Sequence, residues 1–269
     1  MPLRRTQEFL RFGISQGHGG TTLREGARVF AQALSSELGR GVRVHVTDDY
    51  EGLLRATLEG EVEVAWMPPF LHLAATAKGA HLVAVCERGG AITYRSALVV
   101  RADSRYCELG DLGGARAAWS DRRSAAGYVF PRLFLARSGV ELGGETFVGS
   151  PRAVCSAVVG GHADVGACFV SESAANDPAR LGADLSRVYP AAAGQLRVLG
   201  VTDPIPPDGI VVAAHVAADG CERVGEAVLR FHQRAEGREA LHKLLFAEKL
   251  APVTDAVGRV IAELRVRPA

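Results

Sequence analysis

Through most of its length the chain alternates short β-like runs with amphipathic helical runs, and this alternation does most to narrow its possible folds. Leu10 to Ser15 is a short apolar run. A helix is expected from about Thr22: Thr22 and Glu25 fit a capping box, and Leu23, Ala27, Phe30, Leu34 and Leu38 recur at helical spacing. Val42 to Thr47 alternates as a strand, and Asp49 opens a helix carrying Leu53, Leu54 and Leu58. Val62 to Trp66 is a strand broken by Pro68 and Pro69, Phe70 to Lys78 is helical, and His81 to Cys86 is a strand. Ala91 to Arg101 is a long β-rich run, followed by a second block of the same kind. Its strands are Ala115 to Trp119, Thr146 to Val148 and Asp164 to Val170; its helices are Ser124 to Arg137 and Ser150 to Gly160. A polar stretch from Ser171 to Gly194 leads to strands at Leu196 to Val201 and Ile210 to Ala214, around the turn Pro204-Ile-Pro-Pro207. From Asp219 the tail reads as helices.

Strands separated by helices imply an α/β fold of mostly parallel sheets with helices on both faces. Two such blocks, joined by two long β segments, imply two lobes and two hinge strands. Residues 1–93 with 204–269 would build lobe one, and 94–203 lobe two. The 269 residues suit one large domain or two small ones.

Lys plus Arg is 31 against 30 for Asp plus Glu, so neither a nucleic acid nor an anionic membrane is expected as partner. No apolar run approaches the roughly 20 residues of a membrane span. The five cysteines include no Cys-x-x-Cys and are expected as reduced thiols. The eight histidines show no metal-type spacing, and neither a metal nor a cofactor is expected. No apolar stretch of signal-peptide length follows the two N-terminal arginines. As written, the chain is expected to be a cytoplasmic monomer; with a leader it would be periplasmic.

In open α/β sheets, ligands bind beyond the carboxyl ends of strands, at helix N-termini. The loop Ser15-Gln-Gly-His-Gly-Gly-Thr-Thr22 holds His18 at such an end, and Asp48-Asp49-Tyr50 and Trp66 hold others. Tyr94 lies in the first crossover. Ser124, with the N–H groups of Ala125, Ala126 and Gly127, makes a ready anion site, and Arg122 and Arg123 add charge nearby. Ser150 is an expected N-cap, with Pro151 at the first helical position. Cys168 and Phe169 follow in the next strand, where the thiol reads as buried and inert. No Gly-x-Ser-x-Gly elbow is present.

Taken in order, these features resemble the phosphate/phosphite/phosphonate-binding proteins of ABC transporters, within the type II periplasmic-binding-protein fold. The resemblance is carried by Thr47-Asp-Asp-Tyr50, Gly60-Glu-Val-Glu-Val-Ala-Trp66 with Pro68 or Pro69, Tyr94-Arg-Ser96, and Ser124 with Gly127-Tyr128. Gly149-Ser150, Gly160-Gly-His-Ala-Asp-Val-Gly-Ala167 and Ile205-Pro-Pro-Asp208 continue it. It implies a non-enzymatic solute-binding protein closing on a small anion, with an ABC-transporter permease as partner. The anion would sit on the Ser124 helix between Tyr50 and Tyr94, and Asp208 matches a position that can meet a cationic amine on the ligand. This chain departs from the family pattern in its site. Ala125 and Ala126 replace hydroxyl residues, Pro151 replaces a histidine, and the acidic residues expected after Ala167 are absent at Cys168-Phe169, with Glu172 close by. Either backbone N–H groups compensate, with Arg122 or Arg123, or the ligand is less charged, larger or more apolar. Two alternatives stay open: a cytoplasmic enzyme on the same fold, similar to menaquinone-pathway dehydratases, and a ligand-sensing module. His18, Asp49, Cys168, Glu172 and Asp208 would be the enzyme's acid/base candidates.

Overall fold

The computed structural model describes residues 9–18, 23–192 and 194–262. The expected Thr22 capping box and the N-terminal arginines lie outside the described residues. The first block runs β1 (Phe9–Ser15), α1 (Leu23–Leu38), β2 (Gly41–Thr47), α2 (Tyr50–Leu58), β3 (Val64–Met67), α3 (Pro69–Thr76) and β4 (His81–Glu87). The second runs β5 (Tyr94–Arg101), β6 (Arg116–Trp119), α4 (Phe130–Arg137), β7 (Gly144–Phe147), α5 (Pro151–Val159), β8 (Val165–Ser171), α6 (Pro178–Val188) and β9 (Leu196–Val201). The chain then returns through β10 (Gly209–Val212), α7 (Ala218–Leu229), α8 (Ala235–Ala240), β11 (Lys249–Ala251) and α9 (Asp255–Ala262).

Two sheets result, ordered β11-β4-β10-β3-β1-β2 and β7-β6-β8-β5-β9. The pairings are more mixed than the expected mostly parallel sheets. β1 pairs parallel with β2 and β3, and β6 parallel with β7 and β8. β10, however, runs antiparallel to β3 and β4, β5 runs antiparallel to β8 and β9, and β11 runs antiparallel to β4. The reason is topological. β1–β4 all point one way, and β6–β9 all point one way. A strand that crosses from one sheet enters the next from the carboxyl end of its strands, so β5 and β10 run against their neighbours.

Each sheet is pinned by helices on an apolar face. Phe12 of β1 stacks on Phe30 of α1 with ring centres 4.4 Å apart, and Phe231 lies 5.0 Å beyond. Burying rings of this size stabilises the layer by roughly 1.5–3 kcal/mol each. In the second sheet, Leu98, Trp119 and Leu135 fill one face, and Val99, Cys155, Cys168 and Tyr189 the other. Two elements differ from expectation. The polar stretch after Ser171 contains α6, whose N-cap Asp177 accepts from the N–H groups of Ala179 and Arg180. The tail read as helical contains β11, an edge strand.

Candidate functional site

The loops after β1, β3 and β4 meet those after β6 and β7 around a cavity of about 80 Å³. His18, Trp66, Pro68 and Arg88 line it from the first sheet, and Ser124 to Gly127, Pro151, Ala167, Phe169 and Tyr189 from the second. Tyr94 and Asp208 reach it from the two crossing segments, and Leu245 and Phe246 complete the wall.

The turn after β6 is built for exposed N–H groups. Ser124 is extended, and its Oγ accepts the Gly127 N–H at 3.0 Å. The helix opens as a π-helical turn, Ala125–Val129, before continuing as α4. Pro131 has no N–H to offer the Gly127 carbonyl four residues earlier, so that carbonyl accepts from the Ser120 N–H at 3.2 Å. The Ala126 carbonyl accepts from Ser96 Oγ at 2.6 Å. The helix ladder has no acceptor for the N–H groups of Ala125 and Ala126. Gly127 is required here by close approach. A Cβ at this position would fall 1.9 Å from Ser120 Oγ and 2.7 Å from Ser124 Oγ.

Arg88 stands directly after β4, in a tight turn. Its N–H donates to the Ala91 carbonyl at 2.8 Å, and Gly89 and Gly90 take the left-handed conformation, with φ of 57° and 78°. The buried guanidinium grips Asp208 with two parallel bonds, Nη1 to Oδ1 at 2.8 Å and Nη2 to Oδ2 at 2.9 Å. Nη2 also donates to the Leu245 carbonyl at 2.7 Å, and Trp66 Nε1 donates to Asp208 Oδ2 at 2.6 Å. Arg88 Nε is buried without a partner. The guanidinium carbon lies 5.2 Å from the Phe169 ring centre and 5.7 Å from that of Tyr94.

Burial pushes the Asp208 carboxyl up, but the Arg88 guanidinium overrides it and holds the group below the ordinary carboxylate range. His18 is driven below its ordinary value by burial, so its ring is neutral. Its ring packs tilted against Trp66, with centres 3.9 Å apart, and its Nε2 donates to the Leu244 carbonyl at 2.6 Å. Arg88 and Asp208 cancel, so the N–H groups and positive dipole end of the Ser124 turn set the bias, which favours an anion.

This arrangement matches a known group of proteins. The profile of the family described as "ABC transporter, phosphonate, periplasmic substrate-binding protein" matches residues 12–257. The chain belongs to that family. It is 26% identical over 151 residues to the phosphate-import protein PhnD of Mycolicibacterium smegmatis, a match covering 51% of this chain and 47% of that protein. The chain thus spans about half the length of this relative. Among solved structures, it superposes on PhnD1 of Prochlorococcus marinus, in complex with methylphosphonate, with a TM-score of 0.80 and 16% identity, covering 96% and 98% of the two chains. A binding-protein component of an ABC phosphonate transporter from Pseudomonas aeruginosa gives a TM-score of 0.82 and 20% identity, covering 97% and 86%. The two-lobed fold is that of the type II periplasmic binding proteins.

Eight of the ten residues singled out in the sequence line the cavity: His18, Trp66, Tyr94, Ser124, Ala125, Ala126, Gly127 and Asp208. Tyr50 does not; its buried ring lies behind Trp66, with centres 6.4 Å apart. Ser150 does not either, because its Oγ caps α5 by accepting the Ala153 N–H, and the neighbouring Pro151 faces the cavity instead. The other candidates are held by protein partners. Asp208 is already occupied by Arg88 and Trp66 rather than open to a ligand amine. Arg123 pairs with Glu51, and the Arg122 guanidinium lies 4.3 Å over the Phe147 ring, so neither arginine joins the anion turn. Glu172 is held by Arg95 and Thr93, and Asp49 caps α2.

Arg88 escaped the sequence reading, although the rule of strand carboxyl ends applies to β4 as much as to β1. The Gly89-Gly90 pair was the available signal for a tight turn there. Phe246 carried no signal. It is left-handed, with φ of 51°, at the end of the π-helical turn Leu241–Leu245.

Proposed function

We propose that this chain binds a compact phosphorus oxyanion in the cavity: inorganic phosphate or a short alkylphosphonate rather than an aminoalkylphosphonate. One observation carries the reading. The N–H groups that the helix ladder leaves without acceptors at the start of the Ser124 turn, and Arg88, whose buried Nε has no partner, line one small, otherwise largely apolar cavity. The charged head would take the N–H groups and Arg88 Nε. An alkyl substituent would meet Tyr94, Phe169 and Pro151. Asp208 is the only acid lining the cavity among the described residues, and Arg88 has neutralised it, which leaves no counter-charge for an ammonium group.

In this reading residues 1–93 with 204–269 form one lobe and 94–203 the other, and the lobes close on the ligand as a flytrap. The protein would act as a monomeric periplasmic component and hand its ligand to an ABC permease. No helix among the described residues is long and apolar enough to cross a membrane, in keeping with a separate binding component. Isothermal titration with phosphate, methylphosphonate and 2-aminoethylphosphonate tests the reading. Phosphate or methylphosphonate should bind at least tenfold tighter than the amine. Absence of binding by all three would overturn it.

A further inference from the structure

Two buried thiols lie in contact within the layer of the second sheet. Cys155, in α5, and Cys168, in β8, have Sγ atoms 3.3 Å apart, with residue exposures of 2% and 1%. The ligand cavity uses neither. Yet Ala167 and Phe169, on either side of Cys168, line that cavity, as does Pro151, one turn before Cys155. Cys155 also lines a second cavity of about 250 Å³, with exposed Arg152, Ser156 and Gly160 among its walls. A small reagent therefore has a route to Cys155. A disulfide needs an S–S distance of about 2.05 Å, and the 3.3 Å contact leaves a small movement to make.

We propose that Cys155 and Cys168 are a dithiol pair that oxidises to a disulfide, tying α5 to β8 behind the ligand cavity. The oxidant is a small-molecule or protein disulfide. The Cys155 thiolate attacks one oxidant sulfur and expels the other as a thiolate. The Cys168 thiolate then attacks Cys155 Sγ and expels the second. The two cysteine protons pass to the departing thiolates, so two thiols are oxidised and one disulfide is reduced. Hydrogen bonding to Cys155, and then burial, push the Cys168 thiol well above its ordinary value. Exchange in the folded protein is therefore slow, and the bond forms most readily during folding.

The full chain should be unfolded and refolded in a buffer of reduced and oxidised glutathione, alkylated, and mapped by non-reducing peptide mass spectrometry. The expected product is a Cys155–Cys168 linked peptide, with Cys86, Cys107 and Cys221 alkylated. Its Tm should exceed that of the reduced protein by roughly 5–10 °C, and dithiothreitol should erase the difference. Cys155→Ala or Cys168→Ala should each abolish the redox dependence of Tm. A second arm holds the folded protein in glutathione disulfide at mildly alkaline pH, where a mass loss of about 2 Da is expected. Five alkylated cysteines in both arms, or a pairing that omits Cys155 or Cys168, would overturn the proposal.

Discussion

Removing Arg88 strands the buried Asp208 carboxylate, while removing Asp208 strands the buried guanidinium. Breaking one side of a buried pair costs about 3–5 kcal/mol, because the remaining charge is uncompensated. Arg88→Leu and Asp208→Leu should each lower the unfolding free energy by that order in urea titrations, and the double variant should lose less than the sum. Arg88→Leu also re-opens the carboxylate to a cation. The Tm shift given by 2-aminoethylphosphonate relative to that given by methylphosphonate should therefore be larger in Arg88→Leu than in the parent, and an unchanged ratio would separate Asp208 from ligand choice. The Ser124 turn makes a second test. Ser124→Ala removes a cap worth about 1 kcal/mol. Gly127→Ala drives a methyl into two hydroxyls, so it should reduce phosphonate affinity by more than tenfold in calorimetry. At this scale the apolar and cap residues were legible because their positions follow from strand ends and caps. The Arg88–Asp208 pair was not, because 120 residues separate its members and only the fold brings them together.

Among the elements, α3 shows how a helix holds the return crossing in place. Its buried His72 donates from Nε2 to the Pro207 carbonyl at 3.0 Å, next to Asp208. Burial lowers the His72 pKa to about 4, from 6.5 in the open chain. A depressed histidine leaves the native state unprotonated while the unfolded chain takes up a proton. Its contribution is therefore complete above about pH 6.5 and fades as pH falls toward 4. The loss attributable to His72 is about 3 kcal/mol, and His18 adds a loss of the same sign. Urea titrations at pH 7.5, 5.5 and 4.5 should show the decline, and His72→Gln should flatten part of it while keeping the bond to Pro207. Helices with a continuous apolar stripe, such as α1, announce themselves in sequence. α6 did not, because it lies in a stretch dominated by small and charged residues and is signalled mainly by its Asp177-Pro178 start. β11 is three residues long and gains its identity only from pairing with β4.

Across the whole molecule, the two sheets are joined by a paired set of crossings and by contacts between the loop after β6 and the start of α2. Tyr94 and Ile205 exchange backbone bonds at 3.2 Å and 2.7 Å, and the Ser96 N–H donates to Thr202 Oγ1 at 3.1 Å, so the two crossings are tied to each other and, in the proposed division, would move as one hinge. The strand alternation foretold two blocks but not the direction of β5 and β10, which follows from the path between sheets rather than from any residue pattern. Away from the crossings in sequence, Asp121 from the loop after β6 accepts from the Tyr50 N–H at 3.4 Å, at the N-terminus of α2. Arg123 pairs with Glu51 beside it. Both contacts join groups from different lobes in the proposed division, so under the proposed closing motion they would form only in the closed state. The ion pair is substantially exposed and is worth at most about 1 kcal/mol, a factor of about five in an equilibrium constant. Arg123→Gln should therefore weaken ligand binding by two- to fivefold through faster release, with little change in unfolding free energy. Asp121→Asn should act in the same direction, since it removes a charge from the positive end of α2. Raising sodium chloride from roughly 20 to 500 mM should erode the advantage of the parent over Arg123→Gln, because salt screens an exposed pair. A salt-independent difference would show that the exposed Arg123–Glu51 pair is not the interaction through which Arg123→Gln acts.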